Sequence, residues 1–285
     1  MQFTAAEIYL KDKLVSRYGL GEAASISRIF LEDRFHWKRG EREMTPTELE
    51  ILENDSTRLE AGVPIQYVLG QADFFGLKFK VDEKVLIPRQ ETELLVAEIM
   101  KHVGKGKQPQ INLLDIGVGS GCIGISLKKK IREIRLYGID KSRDALSMAE
   151  ENARSLLGIE AEDCHFAEAD ILNLATLPEL PQFDVIVSNP PYIPEAEKHL
   201  MPEHVLAHEP WLALFVQDED PLIFYKAIAD FAMLKLRAKG ALFFECNEFN
   251  ASLAAEMLRG KGFTEVELIQ DLAGADRILK ARKNS

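Results

Sequence analysis

The stretch that most limits what this chain can become is Ile111-Asn112-Leu113-Leu114-Asp115-Ile116-Gly117-Val118-Gly119-Ser120-Gly121-Cys122-Ile123-Gly124. An apolar run enters a glycine cluster, and Ile125 and Leu127 then follow with helical spacing. A strand that turns through glycines into a helix exposes bare backbone N–H groups at the helix start, where a ligand can approach closely. The pattern commits the region to a βαβ unit. Gly119, Gly121 and Gly124 satisfy the G-x-G-x-x-G spacing, so a nicotinamide or flavin site is a rival reading. Roughly twenty residues on, Leu136-Tyr137-Gly138-Ile139-Asp140 reads as a second strand ending in an acid, at the distance where a carboxylate reaches ribose hydroxyls. The plainer role for Asp140 is a helix cap shared with Ser142. A helix over 143–157 and a strand through His165–Glu168 come next, ending at Asp170-Ile171. In a nucleoside-binding sheet that third strand end brackets the base, with a polar group at its edge and an apolar one on its face.

The second constraint is Ser188-Asn189-Pro190-Pro191-Tyr192, directly after Phe183-Asp184-Val185-Ile186-Val187. Four apolar residues in five read as a buried parallel strand. The prolines cannot continue its ladder, so the chain turns there and holds Asn189 at the carboxyl end of the strand, the rim where open α/β sheets bind ligands. The Asn189 amide oxygen and the Pro190 carbonyl make adjacent acceptors suited to an NH₂ group, and Tyr192 could cover the planar group that carries it. A surface turn is the alternative, since Asn-Pro and Pro-Pro are common turn dipeptides.

The N-terminal 1–62 reads as a small helical bundle. Thr4 and Glu7 have capping-box spacing, a second helix is expected after Gly21, and Thr45-Pro46-Thr47-Glu48 opens a third that runs to Ala61 and stops at Gly62. The bundle is either a stabilising appendage or a partner-recognition surface. Glycine breaks and alternation over 63–84 suggest a β-hairpin linker, and 85–285 makes the catalytic domain. Residues 193–210 lack periodicity, as a functional loop beside the site would. A helix over 222–236, a strand over 241–246, a helix over 251–258 and strands over 266–270 and 277–281 complete an α/β, doubly wound, seven-stranded, mostly parallel sheet with a closing antiparallel hairpin.

Charge narrows the partners. A formal net charge of −11 disfavours nucleic acid as substrate. Cys122, Cys164 and Cys246 are odd in number and widely spaced, and neither they nor the six histidines show metal-ligand spacing. No apolar run approaches membrane length, and Glu7 and Lys11 do not suit a signal peptide, so no membrane partner and a cytoplasmic location are expected.

Asn-Pro-Pro-Tyr resembles the signature of methyltransferases that use S-adenosylmethionine to modify an amino group on a planar system, either a DNA base or a glutamine side chain. Further blocks resemble the HemK-type protein-(glutamine-N5) methyltransferases over nearly the whole chain: Gln66-Tyr67-Val68-Leu69-Gly70, Ile87-Pro88-Arg89 with Thr92-Glu93, Glu209-Pro210 with Ala213-Leu214, and Asp271-Leu272-Ala273-Gly274 with Asp276-Arg277. Gln90, Val216-Gln217 and Cys246-Asn247 depart from the family pattern. The resemblance implies a class I, Rossmann-like methyltransferase with S-adenosyl-L-methionine as cofactor. Gly117, Val118, Gly119, Ser120, Gly121, Asp140, Asp170, Ile171 and Asn189 would bind that cofactor, with Asp115 facing its cationic methionine end. Asn189, Pro190 and Tyr192 would be catalytic and, with Pro191, would hold the substrate. The substrate would be the glutamine of the Gly-Gly-Gln motif in peptide chain release factors, and the enzyme a monomer. A DNA adenine-N6 methyltransferase is the alternative; it would need a base-flipping site and a basic face. A non-catalytic nucleoside-binding module would keep Gly117–Gly121 and Asp140 and lose Asn189.

Overall fold

The computed structural model describes residues 1–37, 42–104 and 110–284. The chain divides into two compact units, Met1–Ala72 with Pro202–His208, and Asp73–Met201 with the chain from Glu209 onward.

In the first unit, α1 (Phe3–Phe35) is interrupted at Gly19, whose φ of 73° and ψ of 169° separate two helical halves. The break thus falls two residues before the expected Gly21. The Thr4–Glu7 capping box does not form, because the helix starts two residues earlier, with Gln2 as its N-cap and no side-chain cap. Phe3 explains the shift: it is fully buried and stacked on Trp37. Burying a phenylalanine contributes about 1.5–3 kcal/mol, more than the ~1 kcal/mol of a cap. In α2 (Pro46–Glu60) the box does form. Thr45 Oγ1 accepts from the Glu48 N–H, and the Thr45 N–H donates back to the Glu48 carboxylate at 2.8 Å. Where a hairpin linker was expected from residue 63, the chain first makes a short helix, α3 (Ile65–Leu69), ended by left-handed Gly70. Ile65, Val68 and Leu69 sit at i, i+3 and i+4 and pack on the core of the bundle, and that burial overrides the apparent alternation.

The hairpin itself is β1 (Gln71–Phe74) and β2 (Leu77–Lys80), turned at Phe75-Gly76 with φ of 50° and 75°. Its left-handed two-residue turn matches the twist of the strands.

The second unit carries α4 (Gln90–Val103), β3 (Ile111–Ile116), α5 (Cys122–Lys130), β4 (Ile134–Asp140), α6 (Arg143–Leu157), β5 (Cys164–Glu168) and β6 (Phe183–Ser188). The span 193–210 is not featureless: it holds β7 (Ile193–Pro194), a 3₁₀ turn over Glu195–Leu200 and α7 (Glu203–His208). Next come α8 (Trp211–Leu214) and β8 (Phe215–Val216), which pairs with β7, then α9 (Ile223–Lys235), β9 (Leu236–Glu245), α10 (Glu248–Gly260), β10 (Phe263–Gln270) and β11 (Asp276–Lys283). The main sheet has seven strands in the order β10-β11-β9-β6-β3-β4-β5. β9, β6, β3, β4 and β5 run parallel, and β11 and β10 close the edge antiparallel.

Helices cover both faces of this sheet. Leu114, Ile116, Ile186 and Leu242 meet α9 and α10, while Leu113, Val185, Val187 and Phe243 meet α4 and α5. All six residues of β3 are buried, as a central strand covered on both faces requires. The two sequence motifs therefore leave the sheet from neighbouring parallel strands, β3 and β6, at one carboxyl rim.

Candidate active site

Beyond Ile116 the backbone enters the left-handed region at Gly117 (φ 73°), Gly119 (φ 53°) and Gly121 (φ 82°), where only glycine is unstrained. The Gly117 and Val118 N–H groups donate to Ile139 O at 2.8 and 3.1 Å. The Gly119 N–H donates to Asp140 Oδ2 and the Ser142 N–H to Oδ1, both at 2.9 Å. Asp140 thus pins the glycine loop to the end of β4, and the helix cap of α6 falls to Ser142, whose Oγ accepts from the Ala145 N–H. Burial pushes the Asp140 carboxyl up, against the pull of those N–H groups.

The glycines do different things. A Cβ on Gly117 would meet nothing within 4 Å, and one on Gly119 only a backbone oxygen at 4.0 Å, so both present bare backbone to open space. A Cβ on Gly121 would lie 2.5 Å from Ile125 Cδ1, and one on Gly124 2.5 Å from Leu136 Cδ1. These two are packing glycines, which accounts for the G-x-G-x-x-G spacing without a dinucleotide.

One cavity joins the motifs. Gly117, Val118, Gly119, Ser120, Asp140, Asp170, Ile171, Asn189, Pro190 and Pro191 all line it, together with Arg89 and Thr92. Gly121, Tyr192 and Asp115 are not among its lining residues. Gly121 is turned into the α5–α6 contact, and half-buried Tyr192 packs on the apolar cluster of α9. Asp115 lies behind the loop rather than facing the cavity. It is 1% exposed, its Oδ2 accepts from the Gly124 N–H at 3.0 Å, and burial followed by the nearby Asp140 charge pushes it up to about 8. Its Oδ1 finds no hydrogen-bond partner among the described residues. The cavity residues thus fit a nucleoside cofactor: open space over two bare glycines and carboxylates at successive strand ends.

Asp170 stays ionised at its strand end. Burial works against the charge, but Lys141 at 2.9 Å and the Leu172 N–H at 3.0 Å outweigh it and hold the carboxyl below its usual range.

At the corner, Ser188 Oγ donates to Ile116 O at 2.7 Å and ties the ends of β6 and β3 together. Asn189 Nδ2 donates to Thr92 Oγ1 at 3.4 Å, and Thr92 Oγ1 donates to Glu245 Oε2 at 2.6 Å. Glu245 is 2% exposed, and burial pushes its carboxyl up. The Tyr192 phenol is likewise pushed up by burial, then by the Glu245 charge. Arg89 lines the cavity and pairs with Glu209 at 2.6 Å; Glu209 is 3% exposed and also accepts from the Ile87 N–H. Sequence reasoning missed roles for Thr92, Glu209 and Glu245. Their only signal was membership in blocks quoted for the family resemblance, or proximity to its departures, since periodicity says nothing about partners so far apart.

Family models match at both ends of this layout: a Methyltransferase small domain over residues 90–209 and a PrmC N-terminal domain over residues 8–70. Among solved structures, the methyltransferase domain of METTL16 superposes with a TM-score of 0.52 at 19% identity, covering 74% of this chain and 90% of that one. A methyltransferase from Pyrococcus furiosus gives 0.50 at 15% identity, covering 85% and 100%. These likenesses bear on the fold, which is that of class I methyltransferases. Sequence relatives are far nearer. The release factor glutamine methyltransferase of Bacteroides thetaiotaomicron is 42% identical over 81% of this chain and 80% of its own length. That of Flavobacterium psychrophilum is 39% identical over 94% of both. At that identity and coverage, the chain belongs to the release factor glutamine methyltransferase family.

Proposed function

We propose that this chain transfers a methyl group from S-adenosylmethionine to the side-chain amide nitrogen of the glutamine in the Gly-Gly-Gln motif of peptide chain release factors. The observation that carries the reading is that Asn189 and Pro190 line the same cavity as Gly117–Ser120 and Asp140. When bound, S-adenosylmethionine supplies an electrophilic methyl on a sulfonium. Gly117 to Ser120, Asp140, Asp170 and Ile171 would hold it.

A primary amide nitrogen is a poor nucleophile, because its lone pair is delocalised into the carbonyl. The protein's task is therefore alignment. Asn189 Oδ1 and Pro190 O each accept one N–H of the substrate amide, which aims the nitrogen and meets its developing positive charge with two oxygen dipoles. Pro191 stiffens the corner, and Tyr192 supports it from the apolar side. The nitrogen sheds its proton only after transfer, when it is far more acidic, so the corner needs acceptors more than a strong base. The N-terminal helical unit is the surface that recognises the release factor, and the enzyme acts as a monomer in the cytoplasm. A formal charge of −11 weighs against the DNA adenine reading.

The test is incubation with radiolabelled cofactor and either a release factor or duplex DNA. Label enters the release factor, disappears when its Gly-Gly-Gln glutamine is replaced, and does not enter DNA. Asn189→Ala lowers transfer by about 10²-fold or more while cofactor binding survives. Labelled DNA, or undiminished transfer by Asn189→Ala, would refute the proposal.

A further inference from the structure

The corner poses a problem that its own residues do not solve. An asparagine amide has an acceptor end and a donor end of nearly equal shape, and a half-turn exchanges them. Gripping an NH₂ group requires Oδ1 toward the cavity; Nδ2 there would set donor against donor. Resting on the methyl-transfer reading above, we propose that Thr92 and Glu245 are positioning residues: a one-way hydrogen-bond relay that fixes the Asn189 amide with its oxygen toward the substrate.

The direction follows from hydrogen counting. A threonine hydroxyl owns one hydrogen and two lone pairs. The 2.6 Å contact to Glu245 Oε2 is short, as charge-assisted bonds are, and uses that hydrogen. Thr92 Oγ1 can then only accept, and the one group of Asn189 able to donate to it is Nδ2, found at 3.4 Å. Oδ1 is left for the cavity. Thr92 and Glu245 are each 2% exposed, so water does not compete for either bond. Three elements bring the groups together. The register pair Ser188↔Phe244 of β6 and β9 makes residues 189 and 245 neighbours at the rim, and the first turn of α4 lays Thr92 across them. Thr92 lines the cavity and Glu245 does not, so the carboxylate acts on the substrate through the side chains that it holds, Thr92 and Asn189.

The relay has polarity, so it has a failure mode. A protonated Glu245 can donate to Thr92, which then donates to Asn189 Oδ1 and turns Nδ2 toward the substrate. Several groups face this carboxyl. Arg277 from β11 and the N–H and O–H groups of Asn189 and Thr92 favour its charge, and Glu91 on α4 opposes it. Tyr192, Tyr225 on α9, Cys246 and Cys122 lie within electrostatic reach. Burial is the largest influence and pushes the carboxyl above an ordinary glutamate. Transfer therefore declines on the acid side at a pH above that ordinary value.

The experiment measures kcat, KM for the release factor, cofactor Kd and Tm for Thr92→Val and Thr92→Ser, with Asn189→Ala alongside. Thr92→Val lowers kcat about tenfold or more with cofactor Kd and KM close to wild type, because the orientation of one acceptor is lost, and Tm falls, because the buried Glu245 carboxylate loses a donor. Thr92→Ser keeps the hydroxyl and retains most of kcat. If Thr92→Val does not fold, Glu245→Gln decides, since a carboxamide can offer Thr92 either end: kcat falls and the acid limb of the wild-type pH profile disappears. Wild-type kcat in Thr92→Val, or an unchanged limb in Glu245→Gln, overturns the relay. So does a Thr92→Ser variant as impaired as the valine. If Asn189→Ala is itself fully active, the transfer reading fails instead, and the two failures are told apart.

Discussion

Replacing Gly121 by alanine separates the structural glycines of the loop from those that bare the cavity wall. Gly121 is the left-handed N-cap of α5, with φ 82°. An L-residue in that region costs roughly 1–2 kcal/mol. The new methyl would also lie 2.5 Å from Ile125 Cδ1, 3.3 Å from its Cγ1 and 3.4 Å from Ala149 Cβ. Ile125 and Ala149 are fully buried, so the isoleucine has to shift inside a packed core, and overpacking of this kind costs about 1–3 kcal/mol. Together these give about 3 kcal/mol, or a fall in Tm of roughly 6–12 °C for a unit of this size. Gly117→Ala carries the same backbone strain but meets nothing within 4 Å, so it loses only about 1–2 kcal/mol. Its methyl stands on the cavity wall, where S-adenosylmethionine would have to give way. Urea or thermal unfolding with calorimetric titration of the cofactor reads both effects. Gly121→Ala shows the larger Tm loss and Gly117→Ala the larger loss of affinity. The opposite ranking, or an unchanged Tm in Gly121→Ala, would refute the division of labour between these glycines.

Other outcomes follow from the same geometry. Thr45→Ala removes the α2 cap and destabilises the first unit by about 1 kcal/mol in urea unfolding; a neutral result would mean that Pro46 suffices. Its partner Glu48 is held down to about 2, first by Arg42 and then by the Thr45 N–H, from an ordinary 4.5. A depressed carboxyl contributes stability that is complete above its unfolded value and lost as pH falls through its folded one. The stability gap between wild type and Glu48→Gln therefore shrinks between pH 4.5 and 2, and a gap constant over that range would contradict the pairing. Glu209→Ala leaves the buried Ile87 N–H and the partly exposed Arg89 without their acceptor and costs about 1–3 kcal/mol. It also weakens cofactor binding, since Ile87 and Arg89 line the cavity. An unfolding curve that overlays the wild type would show the pair to be dispensable.

What could be read from the sequence was what neighbours in the chain decide. Thr45-Pro46-Thr47-Glu48 capped α2 as written, Ser142 opened α6 at Arg143, and the glycine run bent where a left-handed backbone was needed. Errors came where burial outvoted local preference. Fully buried Phe3 drew α1 past Thr4, and Ile65, Val68 and Leu69 made a helix from a segment that alternates like a strand. The Thr92–Glu245 contact lay beyond reach for another reason. It joins residues 153 apart in the chain, and neither residue type is unusual where it stands.

The placing of Asn189 at the cavity raises a question that hydrophobic patterning does not answer. A one-residue slip of β6 against β3 would turn every side chain to the other face and carry Asn189 off the rim. In a strand with one wet face, alternation forbids the slip. β6 has no wet face: Val185 and Val187 are buried on one side, Ile186 on the other, and β3 is buried throughout. Burial is nearly the same in either register. Polar contacts at the two ends of the pair break the tie. At the amino end the Asn112 N–H donates to Asp184 Oδ2 at 2.8 Å, and Asn112 Nδ2 donates to Gln182 O at 3.0 Å. At the carboxyl end Ser188 Oγ donates to Ile116 O at 2.7 Å. A slip would strand buried polar groups at both ends, each costing about 1–3 kcal/mol, against no apolar gain. The few polar residues in two otherwise apolar strands thus set the register, and the register carries Asn189 to the glycine loop.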